Sequence, residues 1–349
     1  MRRIILAGVS FLTGVMLAGQ SLANPPDAGD GTARRTRELQ ELGFGMFVCW
    51  SFSTFSGHEW TPGVEDINFF APSGFDADQW VRTAKDAGMG YILLLTKHHD
   101  GFCLWDTQTT GRKVTNTKFL PVDVLAEVRK ACDKHGIKLA LYFSEGDWSW
   151  NPGNKGIHQS VPRPGIKKAQ LRELLTNYGP IEFIWFDHAI NDGGLSHKET
   201  VDRVHKFQPD TFCGFNTGET AGRLSLRERG RAGPIGDTGA VWGKNHLKSD
   251  YSRFTVAEFT YPILEGEDLK KKRGAQWFFS LPENDGFSAS PEKIYRDYLE
   301  AKKHGNLFSL DVGPTRAGVL REIDAKTLEK VGQYIRGETK LPAEALSIK

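Results

Sequence analysis

The chain has 349 residues, 39% of them hydrophobic and 25% charged, so it can bury a large core and lacks the composition of a disordered protein. A formal charge of +2 gives no electrostatic reason to expect nucleic acid or an anionic membrane as a partner. Nine tryptophans suit core packing and also the stacking of rings on a ligand.

Met1-Arg2-Arg3 is a basic start, residues 4–18 are apolar and uncharged, and Ser21-Leu22-Ala23 supplies small residues at the positions a signal peptidase reads. The apolar part is too short to span a bilayer comfortably. Residues 1–23 are therefore predicted to be a signal peptide. The mature chain would begin near Asn24, leave the cytoplasm for a periplasm or the medium, and keep no stable membrane insertion. Strand-like runs follow at 44–52, 91–97, 138–144, 181–187, 211–216, 254–261, 276–281 and 306–312. Helix-like segments lie between them at 76–87, 122–135, 166–178, 197–207 and 291–304, and a last one at 324–336 closes the series.

Punctuation agrees with these elements. Asp76 precedes its helix with Gln79 three residues on, and Gly88, Gly136, Gly179 and Gly305 stand where helices should stop. Continuous apolar strands separated by helices predict a parallel sheet covered on both faces. Eight of them predict a (β/α)8 TIM-like barrel over residues 24–340, with 341–349 as a tail. An open doubly wound sheet is the alternative, but no GxGxxG follows the first strand. Residues 217–252, rich in Gly and Arg, read as an irregular segment beside the site. Cys49, Cys103, Cys132 and Cys213 allow three disulfide pairings or free buried thiols, and none has zinc spacing.

Functional residues should sit where the strands end, because barrel sites form at the C-terminal rim. The fourth run, "IEFIWFD", is apolar until it stops at Asp187, directly after Trp185 and Phe186. The second ends in Lys97, His98, His99 and Asp100, the third passes through Tyr142 to Ser144 and Glu145, and the first runs out to His58, Glu59 and Trp60. Carboxylates, imidazoles and indoles at one rim suit a polyhydroxylated ligand, whose hydroxyls need polar partners and whose C–H faces pack on rings. Adjacent strand residues point to opposite faces. Both imidazoles of His98-His99 therefore reach one ligand only if the strand is already breaking up there.

"KHHDGFCLW" at 97–105 followed by "LRELLTNYGPIEFIWFD" at 171–187 and "GNLFSLDVGPTRAG" at 305–318 resembles the α-L-fucosidase family, glycoside hydrolase family 29. "FGMF" at 44–47, "EW" at Glu59-Trp60 and "AKDAG" at 84–88 extend the resemblance over nearly the whole mature chain. It implies a (β/α)8-like barrel, retaining hydrolysis of terminal α-L-fucosides, fucosylated glycans as substrates, and no cofactor or metal. It makes Asp187 the nucleophile and places sugar contacts at Glu59, Trp60, His98, His99 and Tyr142, beside the Trp185 indole. "RLSLRERG" at 223–230 is similar to the acid/base pattern of the branch acting on α-1,3/1,4-fucosides, which implies Glu228. Glu258 in "VAEFTY" is the runner-up, with Glu219 and Glu265 further off. Two departures stand out: "VCWS" puts Cys49 where the family presents a sugar-binding histidine, and no β-sandwich is expected after the barrel. Two other readings stay open, a non-catalytic fucose binder on a degraded scaffold and a glycosidase for a fucose-like sugar such as an α-L-galactoside.

Overall fold

The computed structural model describes residues 31–150, 160–189, 192–216, 222–235, 254–264, 277–278 and 282–342. The predicted signal peptide lies outside the described residues, as do most of the tail and Glu219 and Glu265. Eight parallel strands close into one barrel in sequence order. They are β1 (Phe44–Val48), β2 (Tyr91–Lys97), β3 (Lys138–Ser144) and β4 (Phe183–Asp187). The second half is β5 (Phe212–Phe215), β6 (Arg223–Glu228), β7 (Val256–Pro262) and β8 (Leu307–Asp311).

The apolar runs are continuous because each strand is buried on both faces. On β3, Ala140 and Tyr142 point into the barrel while Leu139, Leu141 and Phe143 meet the helices. On β4, Phe183 and Trp185 point inward while Ile184 and Phe186 point outward. The helices start and stop at the expected signals. The Asp76 carboxylate accepts from the Gln79 N–H at 2.8 Å to open Ala77–Asp86, and Asp123 accepts from Ala126 at 2.9 Å to open Val124–His135. Caps of this kind contribute about 1 kcal/mol each. Gly136 ends its helix at φ 68°, a conformation that costs a side-chain-bearing residue more.

Three differences from the sequence expectation bear on the site. The first strand stops at Val48, and Phe52–Ser56 is a short helix. The irregular segment contains the sixth strand, Arg223–Glu228, in which Leu224 and Leu226 fill the barrel. The predicted strand at 276–281 is corrected: Trp277 and Phe278 lie in a turn, and its other residues fall outside the described ones. The strand that completes the set of eight is thus β6, between β5 and β7. A further helix, Thr32–Leu42, was not expected. No helix among the described residues is long and apolar enough to cross a membrane.

Candidate active site

At the C-terminal rim the strands surround a cavity of about 290 Å³, at the small end of ligand pockets and suited to one sugar ring. Asp187, His98, His99, Tyr142, Trp185, Glu59, Trp60, Cys49 and Glu228 all line it. Glu258 does not line it.

Asp187 is the centre of the polar network. Its Oδ2 accepts from the Tyr142 hydroxyl and faces His99 Nε2 at 3.5 Å. Its Oδ1 accepts from the His188 backbone N–H at 2.7 Å and from the Asn216 amide. Register explains the convergence, since Ser144 at the end of β3 lies opposite Asp187, and Asn216 follows directly on β5. A carboxylate can end this buried strand because the rim of the barrel meets both of its oxygens with hydrogen-bond donors.

The two neighbouring imidazoles both reach the pocket because β2 loses its regular pairing first, with a register shift between Leu95 and Lys97. Lys97 then points away and pairs with the buried Asp147 at 3.1 Å. The Ser144 hydroxyl donates to the Gly146 carbonyl at 2.7 Å, so it accepts from His99 Nδ1 at 2.6 Å and fixes that ring. Burial, and then the neighbouring His99, push His98 well below the usual imidazole range, so His98 faces the pocket neutral.

On the opposite side the 57–61 turn is pinned by hydroxyls, with Ser53 donating to the Glu59 carbonyl at 2.9 Å and Ser56 bonded to Thr61 at 2.8 Å. It presents Glu59, whose carboxyl is raised by burial against the opposing charge of Arg229, and Trp60, which is 39% exposed at the mouth. Cys49 is a buried free thiol, as are the other three cysteines. Burial and then the Asp311 charge push it well above the ordinary thiol range, so it meets the pocket as a neutral S–H.

The two acid/base candidates differ by one inward-facing position. On β6–β7, Glu228 lies opposite Thr260, whereas Glu258 lies opposite Leu226, one step deeper. Glu258 is fully buried, accepts from the Trp185 indole N–H at 3.1 Å, and is pushed up by burial to about 8. It is a floor residue beneath Trp185. Glu228 ends β6 at the pocket wall, and the Tyr142 and Cys49 environments register its charge together with that of Asp187. Backbone geometry marks the same two carboxylates. Among the described residues three non-glycines have positive φ, and two of them, His188 at 53° and Arg229 at 50°, directly follow Asp187 and Glu228. Each such residue costs about 1–2 kcal/mol, a kind of strain that clusters at functional sites.

His98, His99 and Asp187 could each offer a ligand atom to a cation, all within 4.8 Å of one another. A cation bound there would have to displace donors that Asp187 already uses on both oxygens, so the set fits a hydrogen-bonded carboxylate better. Sequence reasoning missed Asn216, His188, Thr260, Trp277 and Phe278, which also line the pocket. Asn216 was available from the strand-end rule, since it closes the fifth run.

The family model described as Alpha-L-fucosidase matches residues 26–340, and the chain belongs to that family. It is 30% identical to Alpha-L-fucosidase 1 of Arabidopsis thaliana over 320 residues, covering 85% of this chain and 59% of that protein. It is 32% identical to a putative alpha-L-fucosidase 1 of Oryza sativa subsp. japonica over 195 residues, covering 54% of this chain and 37% of that one. The chain therefore matches less than two thirds of the length of these relatives. Among solved structures, a putative alpha-L-fucosidase from Bacteroides ovatus superposes with TM-score 0.68 at 25% identity, covering 87% of this chain and 55% of that one. Alpha-L-fucosidase AlfC from Lactobacillus casei, in complex with alpha-L-fucose product, superposes with TM-score 0.67 at 23% identity over 88% of this chain and 99% of that one, a likeness of fold.

Proposed function

We propose that this chain is an exported exo-acting α-L-fucosidase that hydrolyses terminal α-L-fucosides of oligosaccharides or glycoconjugates with retention. The observation that carries the reading is the pairing of Asp187 and Glu228 at the ends of β4 and β6, in a cavity that admits one sugar ring.

In this reading an Asp187 oxygen attacks the anomeric carbon as the glycosidic C–O bond breaks. Glu228 gives its proton to the departing oxygen. Water then attacks the same carbon from the other side, loses its proton to Glu228, and releases Asp187. The two carboxyl groups must stand about 5–5.5 Å apart for this course. His98, His99, Glu59 and Tyr142 supply partners for the sugar hydroxyls, while Trp60 and Trp185 offer faces for its C–H bonds. Side chains alone supply this chemistry, and no cofactor takes part in it. Export rests on the basic, apolar and small-residue sequence that ends at Ala23.

The test is hydrolysis of an aryl α-L-fucoside followed by proton NMR of the first-formed sugar. α-L-Fucose should appear first. Initial β-L-fucose would refute retention, and no turnover would favour a binding protein. A panel including an aryl α-L-galactoside decides whether the 6-deoxy sugar is preferred.

A further inference from the structure

His188 has no role in the chemistry above, yet it carries backbone strain and lies against the pocket. Its φ is 53°, a left-handed conformation unfavourable to a residue with a side chain. That conformation turns the peptide between Asp187 and His188 so that both of its polar groups are used. The Asp187 carbonyl accepts from the Glu145 N–H at 2.9 Å, and the His188 N–H donates to Asp187 Oδ1 at 2.7 Å.

The ring is anchored independently. Nδ1 meets Asp192 Oδ2 at 2.8 Å, and the ring lies 4.4 Å from His99 and 6.4 Å from Trp148 between centroids. A fourth neighbour is Gly146, where a Cβ would come 2.8 Å from His188 Nδ1. The same His99 faces the other oxygen of Asp187. One residue thus bears on both oxygens, through its backbone N–H on Oδ1 and through its ring's contact with His99 on Oδ2.

We propose that His188 is a positioning residue for Asp187: its left-handed backbone aims the His188 N–H at the carboxylate, and the anchored ring offsets the strain that a side chain meets in that conformation. The inference rests on Asp187 being the nucleophile. The imidazole takes no part in bond making or proton transfer, and what matters is whether residue 188 can hold positive φ. Arg229, directly after Glu228 at the end of β6, also has positive φ, at 50°.

The prediction is a rank order that imidazole chemistry would not produce. Glycine and asparagine adopt positive φ readily, while a β-branched residue does not. His188→Gly and His188→Asn should keep kcat on an aryl α-L-fucoside within about tenfold, and His188→Val should lose on the order of 100-fold, the effect of a hydrogen bond to a charged acceptor. KM and fucose affinity should move by less than about threefold in each. Equal losses in Gly and Val, or an undiminished Val variant, would overturn the proposal. Should the Val variant fail to fold, Gly146→Ala takes its place. It presses on the ring, should lower kcat, and should be rescued by adding His188→Gly, and failure of that rescue overturns the proposal. A readout free of turnover separates this from the proposed function. With [15N]histidine-labelled protein, the His188 amide proton should lie strongly downfield and shift in Asp187→Ala and Asp192→Asn. An unshifted resonance overturns the positioning role whether or not fucosides are cleaved. A wild-type chain that cleaves no fucoside while showing these shifts refutes the fucosidase reading and keeps the hydrogen bond.

Discussion

Replacing Glu258 with Gln separates a floor residue from a catalytic acid. The carboxyl is fully buried, and burial lifts it from the ordinary 4.5 to about 8. Below about pH 4.5 the group is neutral in both folded and unfolded chains, so it adds no pH dependence. Between about 4.5 and 8 the folded chain keeps a proton that the unfolded chain gives up. Stability should then fall as pH rises, by about 1.4 kcal/mol per unit and about 5 kcal/mol in total, before levelling off above 8. Glutamine has nearly the same shape, still accepts from the Trp185 indole, and is neutral throughout. Any advantage of Glu258→Gln over wild type should therefore grow with pH, by on the order of 5–10 °C in Tm between pH 5 and pH 9. Thermal unfolding of the two proteins across that range is the assay, and their difference cancels the other buried acids. A difference that stays flat with pH would show that Glu258 is not held neutral. A Glu258→Gln enzyme that fails on poor leaving groups and recovers with azide would move the acid/base role to Glu258.

Glu228→Ala should cripple fucosides with poor leaving groups while activated aryl fucosides still form the intermediate, and azide should restore their turnover because a small anion needs no general base. Loss that is uniform across leaving groups, without azide rescue, would contradict this. Asp187→Asn keeps the shape of the network and should retain fucose binding by calorimetry while kcat falls by several orders of magnitude; near-normal kcat would reduce Asp187 to a strand-end residue. Cys49→His should keep or tighten fucose affinity, since an imidazole is a better hydrogen-bond partner than a thiol, and a tenfold weaker Kd would show that the pocket has been rebuilt around sulfur.

Much of the barrel was legible because a strand buried on both faces announces itself as an unbroken apolar run. Seven of the eight strands read that way, and Asp187, His98, His99, Tyr142 and Trp185 follow from the rule that such runs deliver polar residues to the rim. What escaped was set by distant contacts. The strand reading of 276–281 recognised Trp277 and Phe278 as apolar, but their burial comes from packing on the pocket: Trp277 lies 6.1 Å from Phe47 and under the Arg229 guanidinium at 5.1 Å. Apolar character with no periodicity cannot distinguish such a turn from a strand. Likewise nothing local in "WFDH" tells that His188 adopts φ 53°, because Asp192, Gly146 and His99 hold it there.

The sixth strand was missed for a different reason, and the miss changes how the acid/base is understood. In "RLSLRE", Leu224 and Leu226 alternate with Arg223, Ser225 and Arg227, which is the period of a strand. Arginines on both sides mask it, and Arg227 is fully buried on the outward face, where an apolar residue would be expected. Read as part of an irregular segment, Glu228 has no fixed position relative to Asp187. As the last residue of a strand registered against β7 from Val256 to Thr260, Glu228 is instead held by the same sheet that holds Asp187. Two carboxyl groups on one rigid barrel keep their separation without loop closure, and retaining hydrolysis needs that separation within about half an ångström. The period of 2 carries a further consequence. Glu228 and Glu258 both face inward, so the two differ by depth, and among the described residues only the upper one lines the cavity.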